Sequence, residues 1–296
     1  MDLNNDVYLI DASIYVFRSY YATDIDYYAK NGEPINAVYG FTRFLVKFLH
    51  KTKAKYIACC FDESLESSYR NDIYPAYKAN RDVAPDDLKR QFKLCQQVAN
   101  VLGIATFVDG YYEADDLIGT LAQHYQKQKT TIHIVSADKD LAQLIKNNDV
   151  WWSFGKIDPL NRDGIYNKFG VYPDQIADFL ALTGDSVDNI PGVPGIGAKT
   201  AELLLNHFNS LDEIIKRHNE IKYLSFRGAK SCQKKIANHI DDALLAKKLT
   251  TIKIDINLED YSVSKKQLDE SRIHALFEFL NFGPLMRSRI LDLKNI

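Results

Sequence analysis

Cysteine is scarce in this chain of 296 residues: Cys59, Cys60, Cys95 and Cys232 are the full set, and no two stand in a CxxC or Cys/His metal spacing. A disulfide framework and a thiolate zinc site are thereby excluded. Glycine (14) and proline (8) are too few for a linker-rich or repetitive chain, so the length must go into packed elements. No apolar run approaches the roughly 20 residues that cross a bilayer, and the start of the chain is polar and acidic. A soluble, cytosolic protein with reduced core thiols is expected, with no membrane partner. An excess of one charge is also missing, since 37 Lys and Arg oppose 39 Asp and Glu for a net charge of -2. On its own, that balance argues against a nucleic-acid partner.

What the chain does have is a repeated pattern. Three apolar runs each end in an aspartate: Val7-Tyr8-Leu9-Ile10 into Asp11, Tyr56-Ile57-Ala58-Cys59-Cys60-Phe61 into Asp62, and Ile132-His133-Ile134-Val135-Ser136-Ala137 into Asp138. Short runs rich in β-branched and aromatic residues, separated by helical periodicity, predict strands of a parallel sheet covered on both faces. Parallel strands bring their C-terminal ends to one edge, so the three aspartates should meet there. Gathered carboxylates need raised pKa values or bound cations, and an all-oxygen set suits Mg²⁺ or Mn²⁺.

Helical spacing of Val38, Phe41, Phe44, Leu45, Phe48 and Leu49 over 36–50 supplies the crossover between the first two strands. Residues 63–84 are polar, with tyrosines and cations and no sustained period, and predict a long functional loop or mobile arch. Pro85-Asp86-Asp87 opens a helix that Gly103 ends. A strand over 104–108 precedes a helix whose core face is Leu117, Ile118 and Leu121. Further strand character at 150–154 leads to a polar hairpin around 161–164, where the sheet should end. Residues 173–183 predict a helix, and the rest is mostly helical, with a capping box from Ser210 to Glu213. Two units are expected in intimate contact, 1–168 and 169–296.

Glu113, Asp115 and Asp116 fall at a helix start, where acids are also favoured by the macrodipole. Asp138 and Asp140 share one turn; Asp185 and Asp188 share another. With Asp11 and Asp62 these make nine acids, enough for two divalent ions acting on a phosphodiester if they converge. Setting those nine aside leaves about +7 for the remaining surface, so the net charge no longer opposes a nucleic acid. Gly192-Val193-Pro194-Gly195-Ile196-Gly197, with Lys199 and Thr200 following, reads as a hairpin between helices; its amides suit a DNA phosphate, though a plain turn fits equally well. Tyr74 to Arg81 interleave aromatics with Lys78 and Arg81, fit either for gripping a single strand or for an exposed polar loop.

Taken together, Val7 to Asp11, Phe61-Asp62, Tyr69-Arg70, Tyr74 to Arg81, Tyr112 to Asp116, Asp138-Lys139-Asp140 and Gly184 to Gly197 resemble the 5′-nuclease (flap endonuclease) family. The likeness is closest to the 5′-to-3′ exonuclease domains of bacterial DNA polymerase I and covers residues 6–260. It implies a PIN-like α/β fold with a mainly parallel sheet, a helical arch and a C-terminal helix-hairpin-helix module. It also implies cleavage of DNA near the junction of a 5′ single strand and a duplex, by a stand-alone nuclease needing no obligate protein partner.

The resemblance assigns Asp11, Asp62, Glu113, Asp115 and Asp116 to a first Mg²⁺ ion and Asp138, Asp140, Asp185 and Asp188 to a second, with Mn²⁺ able to substitute. Lys78 and Arg81 would meet the scissile phosphate. Arg70 and Tyr77 would join the DNA contacts, as would Gly192, Val193, Gly195, Ile196, Gly197, Lys199 and Thr200. A K⁺ ion is implied near the hairpin carbonyls. A PIN-type ribonuclease is usually shorter and lacks the hairpin. A small-molecule phosphohydrolase explains neither arch nor hairpin, and a non-catalytic binder of branched DNA should have lost ligands that are all present here.

Overall fold

The computed structural model of the chain describes residues 6–22, 27–63 and 68–295. Its centre is a six-stranded sheet in the order β3-β2-β1-β4-β5-β6. The strands are β1 (Val7–Asp11), β2 (Tyr56–Asp62), β3 (Ala105–Asp109), β4 (Ile132–Val135), β5 (Val150–Ser153) and β6 (Ile157–Leu160). The first five are mutually parallel, and β6 returns antiparallel to β5. From β1 the chain builds outward through β2 and β3, then crosses back to lay β4 on the other side of β1. That reversal makes the gap between β1 and β4 a topological switch point.

Alternation along each strand divides two cores. Val7, Leu9, Ala58, Cys60, Ile132 and Ile134 face one, whereas Ile10, Ile57, Cys59, Phe61 and Val135 face the other. A strand buried on both faces needs apolar residues at both parities, which is why these runs are continuous. The second core is closed by α1 (Ala12–Ala22), α2 (Asn36–Thr52) and α4 (Asp86–Val101), with α3 (Tyr69–Ile73) lying between α2 and α4 in sequence. On the first face lies α5 (Ala114–Lys127), followed by the helical part of the chain: α6 (Arg162–Phe169), α7 (Ile176–Thr183), α8 (Ala198–Phe208), α9 (Leu211–Lys216), α10 (Ala229–Asn238) and α11 (Ile240–Thr250). One continuous apolar cluster joins β1 and α5 to Leu180, Leu204 and Ala246, so the two expected units share a core.

Beyond α11 an extended strap follows α5 back to the N-terminal end of the sheet. Lys253 N–H donates to Asp116 Oδ1 (2.9 Å) and Ile57 N–H to Val263 O (2.7 Å). Gly119 makes this approach possible: a Cβ there would stand 2.6 Å from Lys253 O. The last helices, α12 (Glu270–Phe279) and α13 (Pro284–Leu291), then place Ile273, Phe277, Met286 and Ile290 in the second core beside α2 and α4. They therefore pack on the α/β part, not on the helical unit to which 169–296 was assigned.

Other departures are local. The polar hairpin expected at 161–164 is a helix start, with Asn161 Oδ1 accepting from Gly164 N–H (2.9 Å) to cap α6; the tight turn lies one strand earlier, between β5 and β6. Of the capping box at Ser210, the half in which Ser210 Oγ accepts from Glu213 N–H is formed (3.2 Å). In the expected arch, residues 64–67 lie outside the described residues. Ser68 caps α3, and the turns that follow fold down onto the 185–190 turn and the start of α5.

Candidate active site at the carboxylate edge

Strand ends and helix starts position the acids. Asp11 and Asp62 are the last residues of β1 and β2, Asp138 follows β4, and Glu113 is the N-cap of α5 with Asp115 and Asp116 in its first turn. Ser136 Oγ donates to Asp11 Oδ2 (2.7 Å) and accepts from Asp138 N–H (2.9 Å), which ties the two sides of the switch point together. Ala114 N–H donates to Asp62 Oδ1 (2.9 Å), and Asp140 N–H to Asp138 Oδ1 (2.9 Å). The second helical contribution arrives at the turn after α7. There Asp185 and Ile190 exchange backbone hydrogen bonds of 3.0 and 2.8 Å, and Gly192 sits so close that a Cβ would meet Gly184 N at 2.2 Å.

Electrostatics divides the acids in two. Burial pushes the Asp11 carboxyl up to about 7, with Asp62 and Asp138 adding to the rise against the Ser136 hydrogen bond. Burial likewise raises Asp62, Asp115, Asp138 and Asp140, and neighbouring carboxylates reinforce it. Glu113 behaves differently: burial pushes it up, but Lys78 and Arg70 outweigh that and hold it below the usual range. Lys139 does the same for Asp185. The contacts are direct, with Lys78 Nζ 2.5 Å from Glu113 Oε1 and 4.0 Å from Asp188 Oδ2, Lys139 Nζ 2.8 Å from Asp185 Oδ2, and Arg81 paired with Asp188.

As these side chains stand, no three carboxylates among the described residues close to metal-binding distance. The donor set nevertheless fits hard divalent cations. Asp140 Oδ1 is buried with no hydrogen-bond donor, and its nearest cation, Lys139 Nζ, is 3.9 Å away. Five carboxylates held above their ordinary values cannot all ionise without compensating positive charge.

Several expected site residues take other roles. Asp116 is fully buried, and both its oxygens are spent: Arg70 bonds it through two nitrogens (2.7 and 2.9 Å), and the Glu113 and Lys253 amides donate to it as well. That corrects its assignment as a metal ligand. Arg70, 3 % exposed, also donates to Glu113 Oε2 and Leu249 O, so it is an internal strut and not a DNA contact. Tyr77 is buried too; its hydroxyl lies 3.0 Å from Glu113 Oε2 and 3.2 Å from Asp188 Oδ2, its one proton shared between the two carboxylates, which removes it from base stacking.

In the hairpin, Val193 and Ile196 are buried and their amides are already used, Val193 N–H donating to Leu182 O at the end of α7 and Ile196 N–H to Val193 O within the turn. Gly195, Gly197 and Lys199 are exposed, Gly192 and Thr200 half-buried, and no side chain caps α8. Lys235 Nζ donates to Gly195 O (3.0 Å), so an ammonium of the chain already holds one carbonyl expected to face K⁺. The hairpin and the folded-down arch are latched together: Lys78 N–H donates to Asp188 O (2.9 Å), Asn80 to Ser186 O (2.8 Å) and Asn189 to Ala76 O (2.6 Å). Sequence reasoning missed Ser136 and Lys139. Both were visible beside Asp138, but nothing in the spacing revealed the cross-strand bond or the reach to Asp185.

Acids at a switch point, basic side chains poised against them and a glycine hairpin alongside define a class first: α/β proteins that process phosphodiesters. The match to known families is specific. The 5′-3′ exonuclease N-terminal resolvase-like domain fits residues 6–170, and the C-terminal SAM fold of the same family fits 171–271. The chain belongs to the 5′-3′ exonuclease family, a family of nucleases. It is 38% identical over 257 residues to a 5′-3′ exonuclease of Buchnera aphidicola (Acyrthosiphon pisum strain), covering 86% of this chain and 89% of that protein.

It is also 35% identical over 287 residues to the thermostable DNA polymerase I of Thermus aquaticus, covering 95% of this chain but 32% of the polymerase. The chain thus spans about a third of the length of that polymerase relative. Among solved structures, zinc-bound T5 5′-exonuclease superposes with a TM-score of 0.68 at 18% identity, covering 98% of this chain and 99% of that one. The catalytic core of Rad2 in complex with DNA substrate gives 0.66 at 16%, covering 98% and 92%. At these identities the likeness concerns the fold. No helix of the described residues is long and apolar enough to cross a membrane.

Proposed function

We propose that the chain is a structure-specific 5′-nuclease, hydrolysing DNA near the junction of a 5′ single strand and a duplex with two Mg²⁺ ions, for which Mn²⁺ can substitute. The observation that carries this reading is the buried carboxylate cleft at the switch point, with Lys78, Arg81 and Lys139 paired to its acids. Asp11, Asp62, Glu113 and Asp115 would hold one ion, and Asp138, Asp140, Asp185 and Asp188 the other. When bound, such ions supply Lewis acidity toward the phosphodiester and lower the pKa of the attacking water.

The chain's own cations do the rest. Lys78 and Arg81 are held by Glu113 and Asp188, and would be free to meet the scissile phosphate where those carboxylates hold metal instead. Gly195, Gly197 and Lys199 present exposed groups to duplex phosphates, which positions DNA without reading its sequence. A K⁺ ion at this turn would have to displace Lys235 from Gly195 O. The four buried free cysteines suit a reducing compartment, and we place the protein in the cytoplasm.

Cleavage of a 5′-labelled flap, a blunt duplex and a closed single-stranded circle, each with Mg²⁺ and with EDTA, tests the reading. Short 5′ products from the flap in Mg²⁺ alone, with the circle intact, are expected. Cutting of the circle, or activity in EDTA, would refute it.

A further inference from the structure

At the end of the sheet opposite the carboxylates, the start of β2 opens into a groove of about 550 Å³. Its lining includes Lys55, Lys265, Lys266 and Lys294 with the polar Ser264 and Gln267, and none of its described lining residues is acidic. The groove is built, not a loose tail: Ser264 bridges Tyr56, Lys265 N–H donates to Lys55 O (2.8 Å) and Lys266 N–H to Gly103 O (2.8 Å). Lys294 is matched by Glu270 (2.5 Å). Lys265 is half-buried, and burial pushes its ammonium below the ordinary lysine value with no neighbouring charge to offset it.

Seven residues of β2 separate this groove from Asp62 by about 20 Å, so one phosphate group cannot serve both ends. All four cations are lysines, compact point charges without the planar fork that matches a carboxylate. With Lys294 offset by Glu270, the adjacent Lys265 and Lys266 carry the field, and two neighbouring ammonium groups favour a multiply charged anion over a single carboxylate, whose pairing with an exposed lysine gains little.

We propose that this groove is a phosphate-binding site distinct from the carboxylate cleft. It takes either a DNA backbone segment remote from the cutting point or a free polyphosphate. Calorimetry with inorganic tripolyphosphate and anisotropy with a long labelled duplex, both in EDTA, compare the wild type with K265E/K266E and K265Q/K266Q. Affinity for at least one probe should fall about tenfold in K265E/K266E and less in K265Q/K266Q.

Loss confined to tripolyphosphate identifies a free polyphosphate as the ligand. Loss confined to the duplex, with a salt slope flatter by about 2, identifies DNA. Cleavage of a short 5′ flap in Mg²⁺ should stay at the wild-type rate, which separates this site from the proposed nuclease reaction. Should the glutamate variant misfold by circular dichroism, the glutamine variant carries the comparison. Unchanged affinity for both probes overturns the proposal. So does a polyglutamate peptide that binds more tightly than tripolyphosphate, because the groove would then be a protein-docking surface.

Discussion

On the β1–β2 side of the cleft, Asp11, Asp62 and Asp115 have no cation in ion-pair reach among the described residues, whereas Glu113, Asp185 and Asp188 are held by Lys78, Lys139 and Arg81. In the first group burial outweighs what compensation there is and raises the carboxyls, that of Asp11 to about 7. In the second group burial is outweighed by Lys78 with Arg70 at Glu113 and by Lys139 at Asp185, which hold both acids below the usual carboxylate range. On the proposed reading, metal at the first group would compete with raised carboxyl protons, and at the second with cations already paired to the acids. The second exchange would free Lys78 and Arg81 for a phosphate, which would couple metal loading to substrate readiness.

The largest effect expected from breaking this arrangement falls on acids whose carboxyls burial raises. Asp115→Asn or Asp138→Asn removes a charge and a candidate ligand, and single-turnover flap cleavage should drop by about 10³-fold or more. Wild-type rates in either variant would remove that residue from the catalytic set. Asp116→Asn should behave differently despite its adjacent position. It leaves Arg70 buried with one partner fewer, so urea unfolding should show a loss of about 3–5 kcal/mol, and Arg70→Ala should match it. If Asp116→Asn keeps full stability and loses cleavage, the structural role given to this pair is wrong.

Why Asp116 misled the sequence reading is instructive. Two adjacent acids at a helix start look equivalent in a string, but successive helical residues point about 100° apart, so Asp115 turns to the cleft and Asp116 to Arg70. The strand-end aspartates were legible because a parallel sheet fixes where its strands end, and the alternation that divides the two cores is local in sequence. Tyr77 and Arg70 were not, since an aromatic or cation in a polar stretch reads as exposed until the stretch is seen folded against an acid. The return of α12 and α13 to the α/β part was equally hidden; the apolar spacing of Ile273 and Phe277 marks a buried face without naming its partner.

The paired half allows a sharper test at Lys78. On the proposed reading, removing it would take away both a phosphate contact and the cation paired with Glu113. Lys78→Ala should therefore lower single-turnover cleavage about 10²-fold while tightening Mn²⁺ binding measured by calorimetry. Weakened Mn²⁺ binding would show that Lys78 organises the ligands and does not compete for them.

The carboxyls raised by burial give a pH dependence of fixed sign. The Asp11 carboxyl, at about 7 when folded and about 4 when unfolded, binds its proton more tightly in the native state. Its contribution is fully present below about pH 4 and is lost as pH rises through about 7. Asp62, Asp115, Asp138 and Asp140 act in the same direction, whereas Glu113 and Asp185, held low, lose their contribution as pH falls. In EDTA the Tm should decline between about pH 5 and pH 8, and Mg²⁺ should restore it most at the upper end. A Tm that rises across that window without metal would refute the proton-held half.

The smallest effect is expected outside the cleft's paired and unpaired acids, at Lys199. It stands exposed in the first turn of α8, whose N-terminus no side chain caps, next to the exposed Gly195 and Gly197. A phosphate there would meet helix-start amides and one ammonium, a contact that fixes position without reading bases and releases about one counterion. Lys199→Glu should weaken metal-free duplex binding to a similar degree on unrelated sequences and flatten the plot of log affinity against log salt by about 1. Flap cleavage at saturating DNA should remain near the wild-type rate, because Lys199 belongs to neither half of the carboxylate cleft. A variant whose salt slope is unchanged, or whose saturated rate collapses, would show that the hairpin does not act as a separate duplex anchor and that the cleft's cations carry the electrostatic grip on DNA.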